Sequence, residues 1–269
     1  MDLPQDQRDT QLQKTCFSST FLLMGVPCCT ELLLLNWEAI REQRHYLSAF
    51  SPLWLAPLEF LQLTGDHLSE EFGNVNSVHK VPALKDGDFT MAESTAILLY
   101  LARKFKTADH WYPSDLQKRA RVDEYLAWQH TNTRLHGSNV FLVTIVTPII
   151  LGHECDPVTL SPLLTELQTS MTYIEEKFLQ DKPFIAGEEI SFADLVAIVE
   201  IMQAVASGVD VFEEKPNLGA WKQRVVEALG EDLFKEAHND LLNPKDKAQM
   251  SIAPEIMESL KVRLHRLSH

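Results

Sequence analysis

The sequence predicts a mixed architecture: an α/β unit of the order βαβ-ββα, followed by an all-α bundle. Three observations carry this. A compact hairpin-then-helix pattern occupies residues 79–105, a strand–helix–strand pattern can be read ahead of it, and apolar residues recur at three and four positions through most of the remaining chain. A chain of 269 residues is long enough for a sizeable core and for one or two domains.

The N-terminal elements are the less regular ones. Met1 to Lys14 is polar and reads as a disordered leader, 1–14. Ser19 to Met24 suits a strand, and Cys28 to about Glu42 a helix, with Pro27 just ahead of it where proline is tolerated. Leu32 to Leu35 is too dense for a simple amphipathic face and implies deep burial. Pro52 and Pro57 break any helix over 46–57, and Leu58 to Thr64 suits a second strand. The next segment is the most informative. His79 to Ser94 reads as two short strands joined by an Asp86-Gly87 turn, since both residue types tolerate positive φ. A helix begins at Glu93-Ser94 and continues with the apolar run Ala96 to Phe105. Two strands alone are marginal, so residues 15–63 must supply the missing βαβ unit for the first domain to be complete.

Residues 106–115 read as a linker, and Pro113 and Ser114 suit the entry to a helix. From Leu116 the chain is helical, with Val122, Leu126 and Trp128 opening a long helix that runs past Val140. Leu164, Leu167, Met171, Ile174 and Phe178 form a stripe at helical spacing. Ser191 and Asp194 have the spacing of a capping box, flanked by Ile190 and Leu195 at staple positions. The helix they open, Phe192 to Val205, is apolar on nearly every side and belongs at the centre of a bundle. Trp221, Val225, Val226 and Leu229 mark another helix, a short one follows over Asp232 to Leu241, and Ile256, Leu260, Leu264 and Leu267 form a last stripe. The helical domain is thus expected over 116–269.

Composition narrows the function. A net charge of −14 disfavours nucleic acid or an anionic membrane as the main partner. The four cysteines, Cys16, Cys28, Cys29 and Cys155, form no regular framework and fit a reducing compartment. The apolar run Phe21 to Leu35 lacks a basic n-region and is interrupted by Glu31, so the protein reads as cytoplasmic and without a membrane anchor. There is no zinc-protease pattern, paired Cys-x-x-Cys, phosphate loop or nucleophile elbow, and the ten histidines show no ligand spacing; no metal is expected. The acidic pair Glu175-Glu176 reads as a solvated helix face.

The start of the helix at Glu93-Ser94 suits a carboxylate: the positive end of the helix dipole, free N–H groups and a hydroxyl coincide there. Ser94 equally suits a plain helix cap. The Val81-Pro82 pair can offer an unpaired backbone edge to an extended peptide, if Pro82 is cis.

The run Val-Pro-Ala-Leu-x-Asp-Gly-x-Phe-x-x-x-Glu-Ser-x-Ala-Ile over 81–97 resembles the glutathione-binding half of the cytosolic glutathione transferases. Arg119 to His130 is similar to the theta class in particular, and the likeness returns at Ile190 to Leu195. It runs from about His67 to about Leu242 and is poor before residue 58. The resemblance implies a thioredoxin-like glutathione-binding domain at 15–105, divergent over 15–63, a helical domain, and a homodimer. It implies that glutathione is the co-substrate, its thiolate attacking small electrophiles. By position, Glu93 would meet the γ-glutamyl ammonium, Ser94 its carboxylate, and the Val81 backbone the cysteinyl unit. Lys80 and His67 would lie toward the glycyl end. Arg134 falls near the position that points into the active site from the helical domain. Each has a plainer reading: a buried strand valine, a surface lysine, a surface histidine beside Asp66. The final stripe would be the tail that folds over the site.

The resemblance carries over no catalytic residue. Theta-like enzymes use a serine in a Ser-x-Pro-Cys pattern, and the best match here is Gly25-Val26-Pro27-Cys28, with glycine in the serine's place. Ser18, Ser19, Tyr46 and Cys28 are stand-ins without positional support. A non-catalytic binding relative, or a variant whose first sixty residues replace the βαβ unit, therefore stands beside the enzyme reading.

Overall fold

The computed structural model describes residues 66–80, 82–86, 88–242 and 254–267. The expected leader, the strands at 19–24 and 58–64, the helix at 28–42, Gly25 and Val81 lie outside the described residues.

The first part opens with a 3-10 turn, Asp66–Leu68, and a short helix, α1 (Glu70–Gly73), capped by the Ser69 hydroxyl accepting from the Phe72 amide. The expected hairpin follows: β1 (Ala83–Asp86) pairs antiparallel with β2 (Phe89–Ala92), with Ala83 opposite Ala92 and Asp86 opposite Phe89. Asp86, expected in the Asp86-Gly87 turn, therefore belongs to the strand, paired with Phe89; Gly87 lies outside the described residues. Asp86 stays in the strand because its carboxylate is held by the next helix. The Lys104 ammonium and the Tyr100 hydroxyl (2.5 Å) both donate to it, which keeps its carboxyl below the usual carboxylate range.

That helix, α2 (Ser94–Phe105), faces two cores. Ile97 and Leu101 pack with Leu84 in a small cluster with the hairpin, while Leu98 and Ala102 enter the large helical core. The alternation at three and four residues gives one helix two buried stripes. It ends at Lys106, whose φ of 51° is left-handed. The 106–115 linker is pinned to the helical domain. Trp111 is buried and stacks on Phe192 at 5.7 Å, and the His110 Nδ1 donates to the Ile190 carbonyl at 2.7 Å.

Asp115, one residue beyond the expected Pro113-Ser114 entry, caps α3 (Leu116–Trp128) by accepting from the Gln117 and Lys118 amides. The long helix past Val140 is not continuous. A 3-10 turn at Gln129–Thr131 and Asn132 (φ −125°, ψ −93°) interrupt it before α4 (Thr133–Phe141), a π-helical stretch Leu142–Val146 and α5 (Thr147–Leu151). The Asn132 side-chain Nδ2 donates to the Trp128 carbonyl at 2.8 Å, securing the break. α6 (Pro157–Tyr173) carries the expected stripe onward into a π-helical end, and Leu167, Met171, Ile174 and Phe178 are buried.

α7 (Phe192–Ala206) is the bundle centre, buried through thirteen consecutive residues, Phe192 to Gln203 and Ala204 included. Its capping box is complete. Asp194 accepts from the Ile185 amide (2.8 Å), the Ser191 amide (2.8 Å) and hydroxyl (3.0 Å), and Trp221 Nε1 (2.9 Å). Burial pushes its carboxyl above the usual range in spite of these donors. α8 (Pro216–Leu229) and α9 (Glu231–Leu242) complete the bundle. Glu175 is not the solvated residue expected: it accepts from the Asn217 and Leu218 amides at 3.1 and 2.7 Å and so caps α8. Glu176 is exposed as expected. α10 (Pro254–Leu267) buries Ile256, Leu260 and Leu264, and Arg263 donates to Asn139 of α4 at 3.0 Å.

Candidate functional site

The site lies where the start of α2 meets α4. Glu93 occupies the cap position with φ 72° and ψ 110°, and its side chain makes no capping bond. Ser94 is therefore the first helical residue, not the cap, and its hydroxyl is not spent on the helix. The first turn of a helix has amides with no intrahelical partner, so an anion can be received there. Ser94 is buried, yet its Oγ accepts from Nη2 of Arg134 at 3.3 Å. Arg134 comes from the helical domain, so a hydroxyl of one domain and a guanidinium of the other converge on one helix end.

Arg134 is held from behind. Its Nε donates to Oε1 of Glu200 at 2.8 Å, and Glu200 is only 1% exposed. The packing that allows this is local. Gly137, one turn beyond Arg134 on α4, faces the Glu200 backbone; a Cβ there would sit 3.4 Å from that carbonyl. Residues three apart share a helix face, so the close approach at Gly137 turns Arg134 toward α7 as well. His130, in the 3-10 break, is half-buried beside the cluster. Burial lowers its pKa first and the Arg134 charge lowers it further, while Glu200 and Glu93 oppose.

Of the residues expected from sequence, the structure thus brings Ser94 and Arg134 together, with Glu93 adjoining and exposed. His67 lies in the 3-10 turn ahead of α1, and Lys80 on the loop that leads to the hairpin. His67 is 3% exposed rather than a surface group, and its carbonyl accepts from Nδ1 of His79 at 2.8 Å. His79 itself needs Gly73, where a Cβ would meet its ring at 2.9 Å. Lys80 is exposed, and its carbonyl accepts from the Asn76 side-chain Nδ2 at 2.5 Å. Among the described residues, no hydrogen bond or ion pair ties the Lys80 ammonium to Ser94 or Arg134. Nor does any cluster of His, Cys, Asp or Glu among them have the makings of a metal site. Sequence reasoning missed Glu200 and His130. A single carboxylate in the middle of an apolar helix was the available signal, because a buried charge needs a cation close by.

Comparison with known proteins shows the family. The family model for the glutathione S-transferase N-terminal domain matches residues 43–109, and that for the C-terminal domain matches residues 139–228. Human glutathione S-transferase theta-1 is 54% identical over 184 residues, which is 68% of this chain and 77% of that protein. Mouse glutathione S-transferase theta-3 is 47% identical over 218 residues, covering 81% of this chain and 89% of that protein. Among solved structures, the human theta-2 transferase in complex with glutathione and an unknown ligand superposes with a TM-score of 0.77. The identity is 36%, and 91% of this chain and 97% of that one are covered. The first part is therefore the thioredoxin-like domain of this fold and the second its helical domain. The chain belongs to the glutathione S-transferase family, in its theta class.

Proposed function

We propose that this protein joins the glutathione thiolate to small electrophiles. The observation that carries the reading is the convergence of Ser94, the amides of the first turn of α2 and Arg134 at one point. A carboxylate placed there would receive neutral and charge-assisted hydrogen bonds together, each of the latter worth about 1.5–3 kcal/mol. In this reading the γ-glutamyl carboxylate occupies that point and its ammonium faces Glu93. The cysteinyl unit runs along the backbone at Val81, and Lys80 and His67 serve the glycyl end. Arg134 closes the site from the helical domain.

The chemistry asks for a thiolate. A free thiol with a pKa near 8.5 is only a few per cent ionised at neutral pH, and each unit of lowering takes about 1.4 kcal/mol. One hydroxyl donating to the sulfur suffices for a useful shift. Residues 15–63 have to supply that hydroxyl; Gly25, at the position best matching the family's serine, cannot. We read domains at 15–105 and 116–269 about a linker at 106–115, and a cytoplasmic homodimer.

The test pairs a glutathione-binding measurement with conjugation of a model electrophile. The native chain should bind and turn over, and Ser94→Ala should weaken glutathione binding about ten-fold. Binding without turnover would identify a non-catalytic relative, and unchanged affinity in Ser94→Ala would remove the carboxylate from this helix end.

A further inference from the structure

We propose that Glu200 is a positioning residue for the glutathione site, holding Arg134 by its Nε so that the Nη2 edge is presented to Ser94 and to the carboxylate bound there. The inference rests on the glutathione reading above, and adds to it a residue that does not touch the ligand.

The argument begins with cost. α7 is apolar and buried through almost its whole length, and Glu200 stands in the middle of it at 1% exposure. Burying a carboxylate is expensive, and pairing it seldom recovers more than the cost of desolvation, so such a pair is a weak stabiliser. What the pair supplies is direction. A guanidinium is a rigid planar fork. With Nε committed to Oε1 of Glu200 at 2.8 Å, the guanidinium plane is constrained, and Nη2 meets Ser94 at 3.3 Å. The backbone supports the same aim. The break at Gln129–Asn132 restarts the helix at Thr133, so that Arg134 lies in its first turn, and Gly137 lets α4 approach α7 closely enough for the pair to form. Without Glu200 the arginine keeps its charge but loses its orientation, and a long flexible side chain then has to be ordered at each binding event.

The test is a double-mutant cycle in glutathione affinity with Glu200→Gln, Arg134→Ala and both together, in the full chain. Glu200→Gln should weaken glutathione binding about ten-fold or more, the loss expected when one charge-assisted hydrogen bond is misdirected. It should add little in the Arg134→Ala background, because the effect passes through the arginine. A structural role alone would lower the melting temperature and give additive effects on affinity; additivity, or unchanged affinity in Glu200→Gln, overturns the proposal. If Glu200→Gln does not fold, Glu200→Asp keeps the charge and withdraws it by one methylene, and the same loss of affinity is expected. A crystal structure of either variant without ligand reads positioning by itself: Arg134 should leave Ser94. If Arg134 departs and the native chain nevertheless fails to bind glutathione, the glutathione reading is at fault; if Arg134 stays in place, the positioning role is refuted.

Discussion

His238 should make the helical domain acid-sensitive, and the size of the effect can be worked out. The residue lies on α9, fully buried, with its Nδ1 donating to the Phe234 carbonyl at 2.7 Å and its ring 4.1 Å from the Phe234 ring. Among the described residues its Nε2 meets no partner. Burial lowers its pKa from the ordinary 6.5 to about 4, with Lys222 contributing in the same direction. The sign follows from linkage. As pH falls through 6.5 the unfolded chain takes up a proton that the folded chain refuses until about 4, so stability is lost over that window. Two and a half units correspond to about 3 kcal/mol in full, and about 2 kcal/mol of it falls between pH 7 and pH 5. The assay is urea unfolding of the native chain and of His238→Gln at both pH values, at one protein concentration so that any association cancels. The variant, neutral throughout, should lose about 2 kcal/mol less than the native chain between the two conditions. Equal losses would show that His238 either charges freely in the folded state or is not buried, and the reasoning would fail.

Two further outcomes follow from packing. Asp194→Ala should cost about 3–5 kcal/mol in a melting experiment, because it strands the amides of Ile185 and Ser191 and the Trp221 indole N–H in a dry core; a loss near 1 kcal/mol would mean that the box is dispensable. Gly73→Ala places a methyl 2.9 Å from the His79 ring and should displace it from the His67 carbonyl, costing about 1 kcal/mol in chemical unfolding. An unchanged midpoint would show that the ring gives way freely.

How much of this was legible in the sequence depended on distance along the chain. The box at Ser191 to Asp194 closes within four residues, and a central helix announces itself by composition, so both were readable. The hairpin and the start of α2 were readable for the same reason, and only Asp86, expected in the turn, slipped into the strand. That slip has a non-local cause, since Tyr100 and Lys104 hold Asp86 in the strand from a helix that the turn rules do not see. Glu175 was misread likewise: its partners are the amides of Asn217 and Leu218, more than forty residues on. The interruption at Gln129–Asn132 carries neither glycine nor proline, so no local signal marked it. Ser94 was readable as a carboxylate position because it stands at a helix start, whereas Arg134 came only from likeness to a family.

The geometry of α2 ties the proposed site to the way the two parts of the chain pack. One helix sends Ile97 and Leu101 into the hairpin cluster and Leu98 and Ala102 into the bundle, so its N-terminus is fixed by both cores at once. Cores are close-packed and transmit small displacements rather than absorbing them. The Arg134 link to Ser94, by contrast, is a single 3.3 Å hydrogen bond that samples the same boundary. A shift of the helical domain by even an ångström would leave the apolar stripes largely in contact but would carry the guanidinium out of hydrogen-bond range. Ligand affinity at the start of α2 is accordingly the sensitive measure of domain docking, and global stability the insensitive one.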